Sequence, residues 1–187
     1  MTTKTVFAGF GGQGVLLMGY LLALTAMRSG KNVTYLPSYG AEVRGGTANC
    51  TVVVSDDVIA SPVASSPDHA VVMNNPSLVR FANVVRSGGD VLVNQSLVHA
   101  TVNRDDLSVV SLPVNQLAND LGESRSANVV MMGAFAEITG VVSLDDLKEA
   151  LAETGLGKKP KVLEINRRAV DLGAESARQA LRKEKSA

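Results

Sequence analysis

Residues 4–37 read KTVFAGFGGQGVLLMGYLLALTAMRSGKNVTYLP, and this stretch decides the fold. Lys4–Ala8 is a short apolar run, the pattern of a buried strand. Gly9–Gly14 follows as a turn. Val15–Arg28 is then apolar nearly all round, which predicts a well-buried helix. Gly19 and Ala23 lie one turn apart on one face and allow close approach to a sheet. Gly30 closes the helix. Asn32–Leu36 (NVTYL) reads as the next strand, stopped by Pro37. Strand, glycine loop, helix and strand in that order make a βαβ unit, which implies a parallel sheet.

The rest of the chain extends this pattern. Ser38–Gly46 (SYGAEVRGG) is a loop and Thr47–Val54 is β-rich. Ser55–Asp57 is a turn signal, from which Val58–Ser61 is expected to pair back as a hairpin. His69–Met73, Asp90–Asn94 and Ser108–Leu112 read as strands. Pro76–Arg86, Pro113–Leu121 and Ala127–Thr139 read as helices, the last ended by Gly140. Ser143, with Asp146 three residues on, starts another helix that runs to about Thr154. Leu156–Pro160 is a linker, and Val162–Lys185 reads as a charged, exposed helix. The expectation is an α/β fold of one domain over residues 1–187, with a body at 1–140 and a helical tail at 141–187. Its sheet should be Rossmann-like and mainly parallel, flanked by helices, with a β-hairpin insertion and a helical C-terminus.

Composition narrows the function. The chain has 187 residues, 45% of them hydrophobic. A chain of that length buries about 70% of its unfolded surface, enough for a real core. Eighteen basic and 18 acidic residues cancel, so no overall field draws it to nucleic acid or to an anionic membrane. One cysteine excludes a disulfide framework, and equally an iron–sulfur cluster or zinc site made by this chain alone. The start breaks into glycines where a secretory signal would need a long apolar run. No stretch approaches the roughly 20 apolar residues of a membrane span. The expected compartment is the cytoplasm. Charge is also unevenly spread, because residues 1–140 hold only half of the 36 charged residues. Interface cores are depleted in charge, so much of that surface is expected to face other subunits.

The chemistry lies in two loops. Gly9-Phe10-Gly11-Gly12-Gln13-Gly14 matches G-x-G-x-x-G between a strand and a helix. Such a loop lets the backbone approach an anion, which the helix N-terminus then favours through its free N–H groups and dipole. Tight helix-on-strand packing would also account for the glycines. NAD needs an acidic residue near the end of the second strand, and Tyr35-Leu36-Pro37-Ser38 offers none. In the second loop Arg44, beside Gly45 and Gly46, could fork onto a phosphate or carboxylate. Glu42 is close enough to be its partner instead, and residue types leave both readings open. His69 reads as a structural histidine, His99 as exposed and Cys50 as a buried inert thiol. No catalytic set and no metal set is visible.

GFGGQGVLLMGYLLA (9–23), SYGAEVRGGTANCTVVVSD (38–56), VMNNPSLVRF (72–81) and GGDVLVNQSL (88–97) together resemble the gamma subunit of 2-oxoacid:ferredoxin (acceptor) oxidoreductases. The likeness covers about residues 4–140. The types acting on 2-oxoglutarate or branched 2-oxoacids look most similar. The resemblance implies part of an enzyme that oxidatively decarboxylates a 2-oxoacid with coenzyme A, giving acyl-CoA, carbon dioxide and reduced ferredoxin. It implies alpha and beta partner subunits, with a ferredoxin-like delta subunit as a further candidate. Thiamine diphosphate and the iron–sulfur clusters would sit in those partners. This chain would help bind coenzyme A and would not be active alone. Carried over residue by residue, Gly9, Gly11, Gly12, Gln13 and Gly14 match the family's glycine loop, and Tyr39, Glu42, Arg44, Gly45 and Gly46 its second loop. The charge-poor surface would encourage a homodimer of the isolated chain.

Two other readings compete. A small NAD(P)-dependent oxidoreductase lacks the ribose-holding acid and a proton-transfer set. A stand-alone nucleotide-binding module, for NAD(P) or an adenine nucleotide, explains the loop but not a charge-poor surface over the whole body.

Overall fold

The structure is a computed structural model that describes residues 1–39 and 47–184. In chain order the elements are β1 (Thr2–Phe10), α1 (Val15–Arg28), β2 (Asn32–Tyr39), β3 (Thr47–Ser55), β4 (His69–Val72), α2 (Asn75–Phe81), β5 (Asp90–Asn94), β6 (Ser108–Leu112), α3 (Val114–Asp120), α4 (Ala127–Thr139), α5 (Leu144–Ala152) and α6 (Pro160–Glu184). Among the described residues six strands form one sheet in the order β2-β3-β1-β4-β5-β6. β1, β4, β5 and β6 are parallel, while β3 lies antiparallel between β1 and β2.

The sheet is therefore mainly parallel and flanked by helices, as the sequence predicts, with one difference in its connectivity. β1 and β2 run the same way but do not touch, because β3 is inserted between them, with Phe10 opposite Thr47 and Tyr39 opposite Ala48. The hairpin is thus β2 with β3. Val58–Ser61 forms no strand. Pro37 does not stop β2 either, since it pairs with Cys50 in the ladder. β2 is an edge strand, and a proline is tolerated there because one side of the edge needs no N–H.

Burial on both faces explains why the strands read as continuous apolar runs. Phe7, Val71, Leu92 and Val110 face a large core built with α1, α4 and α6. Their neighbours Ala70, Val72, Val91 and Val93 face a smaller core under Leu78, Ala82 and Val98. Ser143 caps α5 by accepting from the Asp146 N–H at 3.0 Å.

The last helix is not merely a charged surface helix. Ala169, Val170, Ala174 and Ala177 are buried, and α6 packs along α4 at backbone contact. A Cβ on Gly133 would meet the Val170 carbonyl, and one on Gly173 the Val130 carbonyl. Arg178 forks onto Glu137 with two bonds of 2.8 Å, and Ser126 Oγ bonds Asn166 Oδ1 at 2.9 Å in the buried seam. Part of the charge concentrated after residue 140 is spent joining helix to helix.

Candidate functional site

The parallel strands end at one edge of the sheet, and the glycine loop turns there from β1 into α1. Gly12 (φ 96°) and Gly14 (φ 74°) sit in the left-handed region that side chains avoid, and Gly14 is the N-cap of α1. No side chain caps that helix, so its first N–H groups face outward unclaimed by a cap.

Gln13 holds the loop in place. The Phe10 N–H donates to its Oε1 at 2.6 Å, which makes the other end of the amide a donor, and Nε2 bonds the Met73 carbonyl at 3.0 Å. The loop is thereby clipped to the end of β4, and the Gln13 amide is engaged at both ends. Gly9 is a packing glycine, since a Cβ there would come within 2.9 Å of Met73 and 2.6 Å of Gln13 Oε1. Nothing lies within 4 Å of the place a Cβ would take on Gly12.

Beside this loop is a cleft of about 440 Å³. Gly12, Gln13 and Gly14 form its floor, Leu17, Met73, Leu97 and Leu156 its apolar sides, and Asn115, Ser124, Arg125 and Asn128 its polar ones. The volume falls in the range of small-molecule sites. Among the described residues no carboxylate lines it. Arg125 stands at its border with its Nε 3.0 Å from Glu123, and the Arg125 guanidinium holds the Glu123 carboxyl below its ordinary value.

Two asparagines give the wall its chemistry. The Ser96 N–H donates to Asn94 Oδ1 at 3.2 Å, so Asn94 Nδ2 must be the end that bonds Asn115 Oδ1, at 2.8 Å. Asn94 is fully buried and so fixes Asn115, leaving the Asn115 NH₂ as its free end. Asn128, the second residue of α4, is 6% exposed, and its amide lies directly over Gly14. A Cβ on Gly14 would come within 2.8 Å of Asn128 Cγ. The Asn128 amide has no hydrogen-bond partner among the described residues. The amide opens onto the cleft, where solvent or a ligand can reach it. The sequence reading missed Asn128. The sequence marks it only as the one amide in the apolar run ANVVMMGAFA, with nothing there to tie it to Gly14.

The second loop behaves differently. Gly40–Gly46, which holds Glu42, Arg44, Gly45 and Gly46, lies outside the described residues, as does the Tyr39 side chain. The segment joins Tyr39 to Thr47, and Thr47 pairs with Phe10, so its two ends lie at the same sheet edge as the glycine loop.

The other reactive side chains are elsewhere. His69 starts β4 at the opposite edge, its Nδ1 2.8 Å from Asp90 Oδ2 but off the line of an N–H bond. It packs edge-on to Phe135 at 5.9 Å. His99 is exposed. Cys50 is fully buried against the α1 backbone, and burial pushes its thiol up to about 12. Among the described residues no three His, Cys, Asp or Glu side chains gather to hold a metal ion. An iron–sulfur cluster does not fit this chain, which has one thiol and keeps it buried. Thiamine diphosphate with its divalent cation does not fit the cleft, which among the described residues offers no carboxylate oxygen. Among the described residues no helix is long and apolar enough to cross a membrane.

Fold and cleft together define a Rossmann-like protein whose glycine loop opens onto a cleft at the start of α1. The chain belongs to the pyruvate ferredoxin/flavodoxin oxidoreductase family, whose sequence pattern matches residues 4–176. It is 38% identical over 180 residues to the ketoisovalerate oxidoreductase subunit VorA of Methanothermobacter marburgensis, covering 95% of this chain but 37% of that protein. The chain thus spans little more than a third of that relative. The crystal structure of the keto/oxoacid ferredoxin oxidoreductase gamma subunit of Geobacter sulfurreducens superposes with a TM-score of 0.81 at 29% identity, over 95% of this chain and 99% of that one. A chain of the 2-oxoglutarate:ferredoxin oxidoreductase of Magnetococcus marinus, solved with 2-oxoglutarate, coenzyme A and succinyl-CoA, has the same fold (TM-score 0.86, 24% identity, covering 95% of this chain and 31% of that one).

Proposed function

We propose that this chain is the gamma component of a thiamine-diphosphate-dependent 2-oxoacid:ferredoxin oxidoreductase and contributes to coenzyme A binding and subunit assembly. The whole enzyme cleaves the bond between carboxylate and carbonyl, releases carbon dioxide, and passes an electron pair to ferredoxin. The acyl group goes to the coenzyme A sulfur, whose proton is released. Thiamine diphosphate supplies the carbanion chemistry in the partner subunits. The residues of this chain bind and position rather than react.

The observation that carries this reading is the uncapped α1 N-terminus at the floor of a cleft that no acid lines among the described residues. Coenzyme A presents a diphosphate and a 3′-phosphate, which such a site favours. We assign the second loop, with Tyr39, Glu42, Arg44, Gly45 and Gly46, to the same ligand or to a partner subunit. A stand-alone NAD(P) module is weakened by the topology. β1 lies between β3, which starts rather than ends at the loop with Thr47 and Ala48, and β4, which ends there at Val72 followed by Met73 and Asn74, and neither offers an acid to a ribose. Exposed Tyr20 and Met27 on α1 and Leu36 on β2 supply apolar surface for partners.

The test is a gentle affinity purification of the tagged chain from its own source. Co-elution with larger subunits carrying iron and thiamine diphosphate, and dye reduction dependent on a 2-oxoacid and coenzyme A, are expected. In that complex Arg44→Ala is expected to raise KM for coenzyme A roughly ten- to a hundredfold, the loss of one charge-assisted bond. A lone, colourless chain that binds NAD(P) would overturn the reading.

A further inference from the structure

The glycine loop alone does not define what the cleft holds. The side chain that does more is Asn128, which no part of the G-x-G-x-x-G pattern contains. Three facts meet there. α1, 14 residues long, starts at Gly14 without a capping side chain. Asn128, 94% buried as a residue, lies over that start and lines the cleft. Its amide has no partner among the described residues, while the other amide at the loop, Gln13, is used at both ends. An amide that opens onto the cleft without a protein partner, beside helix N–H groups that no side chain caps, offers its donor to an acceptor from outside the chain.

We propose that Asn128 is a ligand-binding residue that donates its side-chain N–H to an anionic oxygen held at the α1 N-terminus, a phosphate or diphosphate oxygen of the ligand. The positive end of the helix sets the sign of the ligand, and among the described residues no acid in the lining opposes it. Asn115, fixed by buried Asn94, presents a second NH₂ on the same wall. Arg125 adds charge at the border but is shared with Glu123. The anion is thus gripped by neutral donors. Asn128 also explains why Gly14 has no side chain: a Cβ there would collide with the amide that must stay free. The inference rests on the coenzyme A reading above for the identity of the ligand, but not for its charge.

The discriminating variant is Asn128→Asp, equal in shape and opposite in role. Its carboxylate would itself sit at the α1 N-terminus as a resident anion. The assembled enzyme carrying it is expected to keep or raise its melting temperature. It should show KM for coenzyme A raised at least tenfold, with kcat at saturation within about twofold of wild type. Inorganic pyrophosphate, used as the probe, is expected to raise the melting temperature of the wild type and not of the variant. Asn128→Ala, which removes the donor without adding charge, is expected to raise KM by a smaller factor. A lower melting temperature with unchanged KM and unchanged pyrophosphate response in Asn128→Asp would overturn the proposal, because it would show a packing role. If coenzyme A stabilises the wild type and both variants alike, the Asn128 assignment fails and the coenzyme A reading stands. If pyrophosphate discriminates the variants while KM for coenzyme A does not, the anion site stands and the coenzyme A reading fails.

Discussion

Replacing Gly173 by alanine tests the closeness of α4 and α6. The added Cβ would lie 2.8 Å from the Val130 carbonyl carbon and 3.0 Å from the Ala134 nitrogen. The Val130 carbonyl oxygen lies nearer still, and ordinary carbon contacts sit at about 3.5–4.0 Å, so the helices must part by roughly an ångström or more. The obstacle is backbone on both sides, and no rotamer change can yield. Overpacking costs about 1–3 kcal/mol, and rigid backbone puts this case at the upper end, about 3 kcal/mol. Alanine is the better helix former by about 1 kcal/mol, which offsets part of it. The net expectation is a loss of about 2 kcal/mol. For a chain of this size that lowers the melting temperature by about 4–8 °C. Gly155→Ala is the control, since nothing lies within 4 Å of its Cβ position, and it should stay within about 0.5 kcal/mol of wild type. Gly133→Ala opens the same crossing, so the double variant should cost less than the two single losses added together. The measurement is a thermal melt followed by circular dichroism. A Gly173→Ala protein that melts at or above the wild-type temperature would refute the close approach, because helix propensity alone would then have decided the outcome.

Two further outcomes follow from titrating groups. The Arg104 guanidinium grips Asp106 through Nε and Nη2 at 2.9 and 2.6 Å and bonds the Val85 carbonyl at 2.7 Å, holding the Asp106 carboxyl down at about 2. A depressed folded pKa gives stability that is present above the unfolded value near 3.9 and is lost as pH falls through about 2. Arg104→Ala should return the Asp106 midpoint to the ordinary range, read by carbon-detected NMR titration, and an unmoved midpoint would sink the pairing. Cys50, with its thiol pushed up to about 12 by burial, should resist a disulfide reagent at pH 8 in the folded protein and react fully after denaturation. Rapid labelling of the native chain would contradict its burial.

Much of the fold was legible because its signals are local. α1 has the bounds that its apolar run and Gly14–Val15 start imply, and β5, β6 and α4 also keep their expected limits. Strand pairing is not local. Nothing within TANCTVVV says whether it lies beside β1 or across a turn from β2, and the insertion of β3 between them is set by distant partners. Pro37 misled because its effect depends on whether the strand is an edge. α6 misled because its charges dominate the pattern, while Ala169, Ala174, Ala177 and Gly173 form a stripe of small residues that large side chains would have announced. In the candidate site the glycine loop was readable from its spacing. Asn128 was not, since its meaning comes from Gly14, more than a hundred residues earlier in the chain.

The α4–α6 seam also sets a timetable for synthesis. Ten of the thirteen residues of α4 are buried in the finished protein, and α6 is a principal cover. The ribosome must add 45 residues after Thr139 before Glu184 completes that cover. At roughly 5–20 residues per second, this takes on the order of two to nine seconds. During that interval a helix apolar on nearly every side has no permanent neighbour along one flank, making the nascent chain a natural client for a chaperone until its last helix arrives.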